Sequence, residues 1–140
     1  MVGSALVKAL LERGHEPAII SRSAEAAPGG SGQQVARLSW GDPEGRQLAR
    51  ALEGFDAVVN LAGERAVGVR YSASTKQRIL DSRVGSTRTL VAALQRLSPS
   101  LRPGTLLSAS AVGYYGTQGD EWVDESSAPG KDFLAEVCLR

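Results

Sequence analysis

DAVVNLAG, residues 56–63, is an apolar run that opens on an aspartate and closes on a glycine. Its paired valines and short length predict a buried strand that runs directly into a loop. Two other segments read the same way: PAIIS, residues 17–21, ending at Arg22, and TLLSASA, residues 105–111. QVARLSW, residues 34–40, alternates Val35, Leu38 and Trp40 only imperfectly and gives a weaker strand.

Helices are predicted between these strands. Leu6, Val7, Leu10 and Leu11 recur at helical spacing, so residues 3–13 form an amphipathic helix stopped by Gly14. Asp42 and Pro43 suit the cap and the first position of a helix that runs to about Leu52 and closes at Gly54. Ser72 or Ser74 can cap a long helix reaching about Leu97, with Leu80, Val84, Val91 and Leu94 among its apolar positions. Pro99 and Pro103 follow it, and a last helix starts near Asp132. Residues 23–33 are small and polar and read as a loop, as does the stretch carrying Gly113, Gly116, Gly119 and Gly130.

Alternating buried strands and helices predict an α/β fold, a doubly wound parallel sheet in one domain over residues 1–140. Ligands of such sheets bind beyond the carboxyl ends of the strands. Three segments leave those ends and are expected to converge on one cleft: Ser21-Arg22-Ser23, Asn60-Leu61-Ala62-Gly63-Glu64, and Ser108 to Gly116.

Composition narrows the partners. A net charge of +1 and 5% aromatic residues give no electrostatic case for nucleic acid. The apolar runs are too short to span a bilayer, so no membrane partner is expected. Cys138 is the one cysteine, which excludes an internal disulfide and, with the single His15, a zinc site. Asp120, Glu121, Asp124 and Glu125 are not spaced as a calcium loop, and no metal is expected. A cytoplasmic or organellar compartment, plastid or mitochondrion, is expected rather than secretion.

Arg22 stands about twenty residues beyond a glycine-led helix, where dinucleotide folds discriminate the ribose. Two readings are open: a surface arginine at a strand end, or a planar fork for the 2′-phosphate of NADP(H), with Ser21 and Ser23 adding hydroxyls.

The ordered set Gly3-Ser4-Ala5-Leu6, Ser21-Arg22, Asn60 to Glu64, Lys76, Ser82-Arg83, Ser108 to Gly116 and Phe133 to Cys138 resembles the extended short-chain dehydrogenase/reductase superfamily. Within it, the chain is similar to the NAD-dependent epimerase/dehydratase-like group. The resemblance implies a Rossmann-type fold, with Gly3 matching the last glycine of the phosphate loop ahead of a helix N-terminus. It implies that Asn60, Leu61, Ala62, Gly63 and Glu64 pass the cofactor, with Arg83, Ser108 and Ala109 near it. Residues preceding Gly3 in the family, including a central first strand, have no counterpart here. The chain is therefore expected to be a truncated product, a spliced isoform or an incomplete gene model, with the substrate region also lying beyond residue 140.

Ser110 matches the superfamily's active-site serine, which hydrogen-bonds the substrate oxygen. The Tyr-x-x-x-Lys pair of catalytic members is replaced by Phe133 and Val137, which can neither give a proton nor tune one. Tyr114 and Tyr115 are the substitutes at hand, although an unassisted phenol is a poor base near neutral pH. The resemblance thus implies an NADP-binding, epimerase-like oxidoreductase acting on a small molecule. The rival is a protein that holds NADP(H) as a structural or sensing ligand without turnover. Substrate and oligomeric state are not legible.

Overall fold

In a computed structural model of the chain, residues 2–22 and 35–140 are described. Ser23 and the 23–33 loop therefore lie outside the described residues. The chain divides into two compact units, residues 1–56 with 89–104, and residues 57–88 with 105–140.

In the first unit, α1 (Val2–Glu12) precedes β1 (Ala18–Ser21), which pairs in parallel with β2 (Ala36–Ser39), Ala18 opposite Ala36 and Ser21 opposite Ser39. Ile19 and Ile20 are half-buried, where the sequence predicted burial on both faces. The second helix, α2 (Arg46–Leu52), starts later than predicted. Asp42 to Gly45 form a turn closed by the Gly45 amide on the Asp42 carbonyl, 2.9 Å, with Gly45 left-handed at φ 71°. Pro43 is thus a turn residue rather than the first helical residue. The Asp42 carboxylate still caps the helix across the turn, accepting from the amides of Arg46 (3.1 Å) and Gln47 (3.0 Å). Gly45 is required twice over. Besides its positive φ, a Cβ there would stand 2.8 Å from the Ala93 nitrogen and 2.9 Å from the Thr89 carbonyl. The buried apolar residues of this unit are Leu48, Ala49, Leu52, Leu90, Ala93, Leu94 and Leu97.

The second unit carries β3 (Ala57–Asn60) and β4 (Thr105–Ser108), again parallel, with Val59 opposite Leu107 and Asn60 opposite Ser108. The sequence predicted both strands buried. Instead Val58 and Asn60 are buried while Val59 and Leu107 are 40% and 59% exposed, since the pleat sends alternate residues to an open face.

Ser72, not Ser74, caps α3 (Ala73–Leu80), accepting from the Thr75 amide at 3.2 Å. The backbone stays helical to Arg96, through a π-helical turn at Asp81–Gly85 and then α4 (Ser86–Arg96). In α4, Leu90, Ala93 and Leu94 are buried and Val91 is exposed. A single 3₁₀ turn (Val112–Tyr115) and α5 (Phe133–Leu139) complete the unit, with Asp132 capping α5 through the Ala135 amide at 2.9 Å. No helix among the described residues is long and apolar enough to cross a membrane.

Candidate functional site

Asn60, the last residue of β3, is the one buried polar residue among those described. Its Nδ2 donates to Thr87 Oγ1 at 3.1 Å and to Ser108 Oγ at 3.2 Å, and its Oδ1 accepts from the Ala62 amide at 3.2 Å. Its carbonyl accepts from the Ala109 amide at 3.0 Å. An amide side chain offers two donors and an acceptor, and here all are used, as burial demands. Two strand ends that the sequence singled out are thereby tied together, and both are tied to the helix.

The π turn explains the hydroxyls around Asn60. Widening the ring displaces carbonyls from their usual amide partners, and side chains take them up. Ser86 Oγ donates to the Ser82 and Arg83 carbonyls at 2.8 and 3.0 Å, and Thr87 Oγ1 donates to the Arg83 carbonyl at 2.8 Å. Arg83, half-buried in this turn, lays its guanidinium over Gly63. A Cβ at position 63 would sit 3.0 Å from Arg83 Cζ and 3.2 Å from Nη2. One residue on, the Glu64 amide donates to Ser82 Oγ at 2.8 Å, fixing the loop onto the helix. The Glu64 carboxylate pairs with Arg78 at 3.4 Å, an exposed bridge of small energetic weight. Leu61 is 40% exposed.

After β4 the chain passes Ser108, Ala109 and Ser110 into the 3₁₀ turn. Ser110, Ala111, Val112, Tyr114, Tyr115 and Glu125 line an open cavity of about 480 Å³. Tyr114 and Tyr115 meet edge to face, centroids 5.1 Å apart. Gly113 allows close packing on α5, since a Cβ would lie 3.3 Å from Leu134 Cβ. The loop that brings Glu125 back is closed by the Gly130 amide on the Tyr114 carbonyl, 2.8 Å. At this crossing a Cβ on Gly130 would come within 2.6 Å of Gly116 Cα.

Phe133 does not face empty space. Its ring meets Tyr71 edge to face at 5.9 Å, and Lys76 Nζ stands 5.3 Å from its centroid. Val137 is buried.

The remaining candidates belong to the first unit. Gly3 is the second residue of α1 and is exposed. Ser21 closes β1 and its Oγ accepts from Arg37 Nη1 at 3.2 Å. Arg22 is exposed just past the strand, and nothing among the described residues pairs with its guanidinium.

Comparison with known proteins now bears on this arrangement. The model of the NAD dependent epimerase/dehydratase family matches residues 1–134. The chain belongs to that family. An epimerase family protein of Mycobacterium bovis is 38% identical over 139 residues, 99% of this chain and 42% of the relative. A chloroplastic epimerase family protein of Arabidopsis thaliana is 42% identical over 95 residues, 68% of this chain and 27% of the relative. The crystal structure of a nucleoside-diphosphate sugar epimerase from Corynebacterium glutamicum shares 38% identity with a TM-score of 0.74, covering 99% of this chain and 26% of that one. A UDP-glucose-4-epimerase from Stenotrophomonas maltophila, solved with bound NAD and a formylated UDP-arabinopyranose, has the same fold at 20% identity and a TM-score of 0.70. The Rossmann-type α/β fold expected from the sequence is thus shown, and the chain spans less than half the length of these family members.

In the second unit Thr87, Lys76 and Glu125 had no binding or catalytic role in the sequence reading, and in the first unit neither had Arg37. Thr87 sits five residues beyond Ser82 in a helix whose π turn has no sequence signature. Glu125 lies fifteen residues from Ser110 and returns to it through a loop whose closure depends on the Gly116–Gly130 crossing.

Proposed function

We propose that the chain forms the NADP-binding part of an epimerase-like oxidoreductase of the extended short-chain class, acting on a small carbonyl compound or its alcohol. The observation that carries this reading is Asn60. It joins a strand end with a bare glycine under a guanidinium to a strand end that leads to Ser110.

The residues present suit a dinucleotide. A glycine at position 63 leaves backbone open to close approach, with a cation held behind it. When bound, a nicotinamide cofactor supplies hydride transfer. The chain's own residues would bind and orient. Arg22 offers a fork for the 2′-phosphate, and Arg37, engaged with Ser21, puts a second guanidinium at the end of β1. Gly3 would face the pyrophosphate from the first turn of α1. Asn60, Leu61, Ala62, Gly63, Glu64, Arg83, Ser108 and Ala109 would pass the rest of the cofactor. Ser110 would donate a hydrogen bond to the substrate oxygen, with Tyr114 and Tyr115 beside it in the same cavity. The family members compared are more than twice as long as this chain.

A second reading is a protein that binds NADP(H) without turnover. Phe133 and Val137 favour it, because the aromatic ring over Lys76 carries no hydroxyl. Titration of NADPH and NADH by quenching of tryptophan fluorescence tests the shared part of both readings. NADPH is expected to bind more tightly, and Arg22→Ala to remove the preference. Equal affinities that the substitution leaves unchanged would refute the 2′-phosphate role.

A further inference from the structure

We propose that Arg37 completes a two-arginine clamp with Arg22 for a 2′-phosphorylated adenosine nucleotide, and that neither arginine suffices alone. The proposal rests on the reading of Arg22 as a 2′-phosphate contact, and all its residues belong to the first unit.

Strand register sets the geometry. Arg37 lies on β2 opposite Ile19, and Ser39 lies opposite Ser21. Partners in a parallel pair share a face, as do residues two apart on one strand, so these four side chains stand on one face. Arg37 Nη1 donates to Ser21 Oγ at 3.2 Å, although Ser21 is two residues beyond its own register partner. The side chain therefore runs along the strands by about 7 Å toward the carboxyl end of β1. Ligands of parallel sheets bind at that end. Arg22 is the next residue after Ser21, exposed at the bend where the chain leaves the strand.

The charge on Arg37 is not matched. Arg37 is half-buried, and the bond to Ser21 is the single polar contact of its guanidinium among the described residues. A guanidinium carries five N–H donors, and a hydroxyl that accepts from one of them brings no negative charge. Asp42, the next acid along the chain from β2, has both carboxylate oxygens on the Arg46 and Gln47 amides. A half-buried cation with donors to spare and no carboxylate suits an anionic ligand.

The ligand needs two such groups. A phosphate monoester carries about two negative charges near neutral pH and three acceptor oxygens. One planar fork meets one of those charges and two of those oxygens. Arg37, already held at the strand end by Ser21, meets the remainder at a smaller ordering cost than a free side chain. A nucleotide with a bare 2′-hydroxyl gives neither guanidinium a charge to meet.

The test is isothermal titration of the chain with adenosine 2′,5′-bisphosphate and with 5′-AMP, which differ by the 2′-phosphate alone. The wild-type protein is expected to bind the bisphosphate about tenfold more tightly. Arg37→Met keeps the length of the side chain and removes its charge. It should bring the two affinities to within about threefold by weakening the bisphosphate, with 5′-AMP left unchanged. Arg37→Lys keeps the charge without the fork and should fall between wild type and Arg37→Met. An Arg37 that only supported β2 would shift both nucleotides alike, together with the thermal midpoint.

Arg22→Ala in the same titrations separates the two claims. The clamp requires that the preference disappear both with Arg22→Ala and with Arg37→Met. Loss with Arg22→Ala alone overturns the clamp and leaves Arg22 as the sole phosphate contact. Loss with Arg37→Met alone overturns the clamp and removes Arg22 from the phosphate. A wild-type protein that binds neither nucleotide, or both equally, overturns the clamp and the 2′-phosphate reading together.

Discussion

The guanidinium carbon of Arg83 lies 3.0 Å from the point where a side chain on Gly63 would begin. A glycine here is a spatial requirement of the π turn's arginine, not of backbone dihedral freedom, since position 63 is not among the positive-φ glycines. Gly63→Ala should therefore push the guanidinium aside while leaving the loop conformation intact. The expected outcome is weaker NADPH binding, by about tenfold, with little change in thermal midpoint. Arg83→Lys should weaken binding similarly, because an ammonium cannot reproduce the planar fork. Isothermal titration of both variants checks this, and unchanged affinity in both would separate Arg83 from the cofactor.

Asn60 is the residue on which the second unit's polar order depends. Asn60→Leu removes the partners of Ser108 and Thr87 and leaves the Ala62 amide without its acceptor. A loss of about 1–3 kcal/mol is expected in denaturant unfolding, the cost of buried groups left unpaired. Asn60→Asp should also destabilise, since it buries a carboxylate charge and leaves Thr87 Oγ1 without its donor. A change of less than about 0.5 kcal/mol in both would show that water replaces the network.

Ser110→Ala reads out the chemistry. In an active full-length family member carrying this sequence, turnover should fall by on the order of a hundredfold while NADPH affinity is retained. Equal rates for both proteins on a responsive substrate would make the serine structural.

Acid should act on α2 through Asp42. The amides of Gln47 and Arg46 hold its carboxyl below the ordinary value of 3.8. A depressed folded-state pKa means that its stabilisation is present above the unfolded value and is lost as pH falls through the folded one. Asp42→Asn keeps a capping oxygen without titrating. Wild type should therefore be the more stable above about pH 5, with the gap closing below about pH 4 in thermal unfolding followed by circular dichroism. A gap that is constant with pH would show that the carboxylate's charge does not contribute.

Strand and helix identities were readable in the residues because they depend on local patterns. The valines of DAVVNLAG, the capping aspartate at 132 and the proline-punctuated end after Leu97 each act within one turn or one strand. The ends of the strands were readable for the same reason, since each apolar run stops at a polar residue or a glycine. Where the reading departed from the structure, the cause was an interaction between distant residues. Gly45 is left-handed and also has no room for a Cβ beside Ala93 and Thr89, and α2 starts after it rather than at Pro43. Glu125 comes to line a cavity with Ser110, and Lys76 reaches Phe133, through a glycine crossing and a helix packing that no window of sequence contains. Local chemistry chooses the elements, but which side chains share a cavity depends on contacts between residues far apart in the chain, and these form only when the chain packs.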